Sequence, residues 1–115
     1  MTKKIKLPNK DELRKILFTK IYGEWRGGTC RDYVAGWNLH CSLFDAILDQ
    51  AEKEFSEVQL EFFCVVTVNL IAQNQPPFLH SFLYEIMAEI LYKIVSDKKV
   101  AQKLRKKFLR VGGLS

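Results

Sequence analysis

Several residue types that build recognisable sites are scarce in this chain. It has two histidines, His40 and His80, and three cysteines in 115 residues. No two cysteines stand in CxxC spacing, and neither histidine belongs to an HxxxH or HExxH pattern, which excludes the common zinc signatures. Cys30, Cys41 and Cys64 are odd in number and far apart. They predict free thiols in a reducing compartment, not a disulfide framework. Long apolar runs are also missing. The longest, Phe62 to Val66, falls far short of the roughly 18 residues of a membrane span. The basic start, Met1 to Lys10, is followed by no apolar stretch, so no secretory leader is expected and a cytoplasmic location is. Internal repeats and low-complexity segments are absent as well.

What remains is one domain's worth of chain, 48% hydrophobic, enough for a single core. Its net charge of +5 hides an uneven pattern. Residues 1–20 carry seven Lys/Arg and two acids, and residues 93–110 carry eight and one. The middle, 21–92, carries three Lys/Arg against ten acids. Basic ends of this kind attract a polyanion, the acidic middle of the same molecule, or both.

Breakers divide the chain into about five helices. Asn9, with Glu12 three residues on, has the spacing of a capping box and opens a first helix to about Tyr22, striped by Leu13, Ile16, Leu17 and Ile21. After a glycine-containing loop, Thr29 reads as the cap of a second helix with an acidic outer face, Asp45, Asp49 and Glu52. Ser56 with Gln59 opens a third, about 57–74, apolar almost all round and therefore expected to be the central, most buried element. Its β-branched run Val65-Val66-Thr67-Val68 also suits a strand, but no partner strand is apparent. Pro76-Pro77 breaks the chain, and Pro77 suits the first turn of a fourth helix, about 77–96. That helix has two adjacent apolar rows, Phe78 to Ile94 and Leu79 to Val95. Ser96 or Asp97 begins a fifth, to about Arg110, with Val100, Leu104 and Phe108 on one side and cations elsewhere. The predicted class is all-α, an antiparallel bundle of four core helices plus a basic amphipathic C-terminal helix. It forms a single helical domain over 1–115, with 1–8 and 111–115 as frayed tails.

No residue constellation amounts to an active site, and neither a catalytic residue, a cofactor nor a metal is expected. Cys30 and Cys41 lie among apolar residues of the second helix and read as inert thiols. Asp45/Asp49 and Glu85/Glu89 stand at i, i+4 but lack the Glu-x-x-His partners of a di-metal bundle site, and read as solvated or interface acids. Glu57/Glu61 read the same way, with a second role open to them: orienting the basic fifth helix if it folds back. The loop Trp25-Arg26-Gly27-Gly28-Thr29-Cys30-Arg31 is a secondary candidate. Glycines before a helix start can present backbone N–H groups to an anion, Arg26 and Arg31 add charge, and Trp25 adds a stacking face.

The leading expectation is a non-enzymatic binding or regulatory protein that engages an acidic macromolecule, RNA or DNA phosphate foremost. The residues expected to carry it are Lys98, Lys99, Lys103, Arg105, Lys106, Lys107 and Arg110. A membrane surface is disfavoured. The alternative is a protein–protein interaction module, such as an immunity, chaperone or regulatory subunit, working through the acidic second-helix face or the Trp25–Tyr33 region. In a self-associating version, a homo-oligomer would form through surplus apolar surface around Met87 on the fourth helix.

Overall fold

The computed structural model describes residues 4–21 and 34–111, and of 34–40 and 78 the backbone alone. The described chain is mostly helical. α1 (Lys10–Lys15) runs on into a π-helical stretch over Ile16–Ile21. α2 (Val34–Leu48), α3 (Glu57–Ala72), α4 (Pro77–Ile94) and α5 (Lys98–Val111) follow. Two short strands, β1 (Ile5–Lys6) and β2 (Glu54–Phe55), pair antiparallel with Ile5 opposite Phe55. No described helix is long and apolar enough to cross a membrane.

The helix starts follow from local hydrogen-bond chemistry. Asn9 Oδ1 accepts from the Glu12 N–H at 2.9 Å. At α3 the capping box is complete. Ser56 Oγ accepts from the Gln59 N–H at 3.1 Å, and the Ser56 N–H donates to Gln59 Oε1 at 2.9 Å. Pro77 opens α4, where its missing N–H costs nothing. Asp97 Oδ1 accepts from the N–H groups of Lys99 and Val100 at the head of α5. The Thr29 cap expected for α2 lies outside the described residues.

Within the segment expected to fray, residues 4–8 are described, and of these Ile5 and Leu7 are buried. The Leu7 N–H donates to the Lys53 carbonyl at 3.0 Å, and the Glu52 N–H donates to Pro8 at 3.1 Å. Glu52 reaches that position with φ 64°, a left-handed conformation costing about 1–2 kcal/mol for a residue with a Cβ. Two-residue strands carry no alternation to read, which is why the sequence hides this pairing. The β-branched run at 65–68 is helical, as expected.

The buried core is one cluster drawn from every helix and from β1. Its centre is α4, not α3. α4 packs against α5, α3 and the π-helical stretch, and Leu83, Met87, Ala88, Ile90, Leu91 and Val95 are fully buried along it. From Leu83 to Val95 both apolar rows of α4 are therefore buried, and Met87 offers no surplus surface for self-association. α3 buries Leu60, Cys64, Val68 and Ala72 on one side only. Its other side leaves Val58, Phe62 and Leu70 exposed. An all-round apolar pattern does not say which helix has neighbours on all sides.

α5 is part of this core. Ala101, Leu104 and Phe108 are buried against α4, and the Phe108 ring lies 5.9 Å from that of Tyr84. Phe108→Ala should cost about 3–5 kcal/mol of unfolding free energy. Lys106→Ala, on the opposite face, should stay within about 0.5 kcal/mol. Urea denaturation of the two variants checks both.

Candidate functional site

α5 carries all seven cations singled out in the sequence, and the fold sorts them into two groups. Four are engaged internally. Lys103 Nζ stands 2.9 Å from Glu57 Oε1, and Lys107 Nζ donates to Glu61 Oε2 at 3.0 Å. Arg105 Nη2 stands 2.8 Å from Glu89 Oε1, with its guanidinium 4.9 Å from the centre of the Tyr92 ring. Lys98 lies 4.8 Å from the same ring centre and donates to the Tyr92 carbonyl. Such cation–π contacts contribute on the order of 0.5–1 kcal/mol at exposed positions.

The second group is Lys99, Lys106 and Arg110. All three are exposed, and none has an acid partner among the described residues. With Lys103 they recur at i, i+4, i+7 and i+11, which places them on one line along the helix. That line is opposite the buried Ala101, Leu104 and Phe108. The Lys103 side chain belongs to both groups, paired with Glu57 yet 61% exposed.

The carboxylates sort accordingly. Glu57 and Glu61 orient α5, the second role left open for them, and Glu89 joins them from α4. Glu85, Asp45 and Asp49 are exposed. The pairing with Glu57 is asymmetric. Its Oε1 is closed off from water and makes no hydrogen bond of proper geometry, so among the described residues the Lys103 ammonium is what compensates it. Lys103→Met should therefore cost about 1 kcal/mol, since it strands a desolvated carboxylate oxygen. Glu57→Gln, which removes the charge that needs compensating, should cost less. Thermal unfolding of both single variants and the double variant measures the difference.

Where β1 meets the start of α5, a groove of about 320 Å³ is lined by Lys4, Lys6, Glu57, Ser96 and Asp97 among others. It brings part of the basic N-terminal segment beside two acids, so its charge is mixed. Among the described residues no three His, Cys, Asp or Glu gather to hold a metal ion. His80 Nε2 lies 3.2 Å from the Gln75 carbonyl. Trp25, Arg26, Cys30 and Arg31 lie outside the described residues, as does the His40 side chain.

Neither described cysteine has the low thiol pKa of a nucleophile. Cys41 is shifted up by desolvation, then by the charge of Asp45. Burial alone pushes Cys64 up to about 12. The unfolded thiol titrates near 8.5, so the folded state holds this proton more tightly. Cys64 thus contributes stability in full below about pH 8.5 and loses it as pH rises toward 12. Tyr84 is raised too, chiefly by desolvation, and acts in the same direction. The Tm should fall between pH 9 and 12, and Cys64→Ala should make that fall shallower, as followed by circular dichroism.

Comparison with protein-family models, curated proteins and solved structures finds no match to this chain.

Proposed function

We propose that this is a non-enzymatic binding protein that holds nucleic-acid phosphate, RNA or DNA, along the outer row of α5. The observation that carries the reading is the line Lys99, Lys103, Lys106 and Arg110 on the solvent side of a helix whose other cations are tied down. The four span about 16 Å at 1.5 Å per residue, with roughly one cation per turn. A row of that kind suits a phosphate backbone. It supplies no aromatic face for a base, because Phe108 is buried and Tyr92 is occupied by Lys98 and Arg105. Binding is then positional and salt-sensitive, with little choice of sequence. The reading includes a cytoplasmic setting, and an architecture in which α1 to α4 form an antiparallel bundle with α5 laid on its flank.

The ion pairs decide which variant tests this. Reversing Lys103, Arg105 and Lys107 would break the contacts that orient α5, so lost binding would not locate the site. Lys99, Lys106 and Arg110 changed together to Gln leave those contacts in place. Fluorescence anisotropy with labelled duplex DNA and single-stranded RNA should give log K falling with log salt at a slope of about −3 to −4 on the duplex, for three or four phosphates. The triple variant should flatten that slope by about 3. No binding by the wild type at low salt would overturn the reading. The protein–protein alternative would then take its place, through the exposed Asp45 and Asp49 or through the Trp25–Tyr33 region, which lies outside the described residues.

A further inference from the structure

The exposed side of α3 carries a pattern that neither the core nor the basic row uses. Val58, Phe62, Val66 and Leu70 are 72%, 70%, 37% and 65% exposed. They recur every fourth residue and so form a single ridge along the helix, about 18 Å long. The other exposed residues of this side, Gln59, Asn69 and Gln73, are uncharged amides. In a chain that is 27% charged, four turns of exposed helix carry no charge at all. The nearest acids, Glu57 and Glu61, are drawn to the edge of the helix by Lys103 and Lys107. Apolar and aromatic side chains on a patch depleted of charge are the compositional mark of an interface centre.

We infer that this face binds a second copy of the same chain, α3 against α3, about a two-fold axis near Phe62 and Val66. In a two-fold interface every group near the axis meets its own like. A charged patch would repel itself there, and this one has nothing to repel. A ridge of i±4n residues also fits the grooves between the same ridges on an identical helix, crossing at about −50°, the commonest packing of globular helices. A polyanion finds no cation on this face. An anionic membrane would meet glutamates at its edge, where surface-lying helices place Lys and Arg. The four apolar side chains supply roughly 400 Å² per copy. With the flanking amides, the total buried area reaches about 1,200 Å², the low end for a specific interface. An interface of that size is that of a reversible dimer. It uses a different surface from the basic row of α5 and does not depend on what that row binds.

Sedimentation equilibrium from 1 to 200 µM tests this on the wild type, Phe62→Glu and Leu70→Lys. The wild type should approach twice 13.4 kDa at the upper end, and both variants should stay at the single-chain mass. The wild-type Tm should rise with protein concentration, while those of the variants should not, because only the associating chain gains stability by mass action. At 1 µM all three should melt within about 2 °C of one another, since the substituted side chains are exposed in the single chain. A wild type that is monomeric at 200 µM would overturn the inference. So would a dimer that survives both substitutions. Variants that melt well below a monomeric wild type would overturn it too, since the ridge would then be covered within the single chain.

Discussion

The docking of α5 onto α4 is the contact on which the rest of the molecule depends. Two kinds of force act across it, and their sizes differ. Leu104 and Phe108 are buried there essentially completely, and each such side chain contributes about 1.5–3 kcal/mol relative to exposure. The three ion pairs sit at partly exposed positions, where a pair is worth about 0–1 kcal/mol. Apolar burial therefore decides that α5 folds back. The ion pairs decide how it is rotated when it does: a turn about its axis that removed Lys103 from Glu57 would also remove Lys107 from Glu61. Two weak contacts on successive turns thus act as a register mark for a strong but undirected one.

That arrangement accounts for much of the charge asymmetry along the chain. The acidic middle and the basic C-terminal segment are partners within one molecule, and their meeting leaves two surfaces of opposite character. On the outer side of α5 the cations without acid partners remain, aligned. On the outer side of α3 there is no charge, because its residues there are apolar or amides and Glu57 and Glu61 lie at the edge. A basic row and an uncharged ridge thus stand on two helices joined by the same ion pairs.

Much of the helical pattern was legible residue by residue. The Ser56/Gln59 box, the Asn9 cap, Pro77 and Asp97 all signal helix starts through donors or acceptors a few residues away, and each acts as its chemistry requires. The spacing of Leu104 and Phe108 marked an apolar side of α5, but whether that side packs on the other helices or stays free was left open. Three features were not legible. The β1–β2 pair joins segments some fifty residues apart with two residues each, too short to show a period. The π-helical end of α1 has no distinct composition. The exchange of roles between α3 and α4 was hidden because both are rich in apolar residues, and composition does not count neighbours. As for the candidate site, the sequence named all seven cations of α5 and raised the possibility that Glu57 and Glu61 would meet them, but left unsorted which cations would stay free.

The sequence by itself determined most of the helices, because caps, breakers and apolar periodicity act over three or four residues. It also determined the opposition of charge between middle and end. Only the tertiary structure decided, among the described residues, which helix is central, which cations are held and which are left to solvent, and that Val58, Phe62, Val66 and Leu70 of α3 are exposed. These depend on contacts between residues distant in the chain, such as Lys107 with Glu61 and Tyr84 with Phe108. Such contacts exist only once burial has fixed how the helices lie against one another.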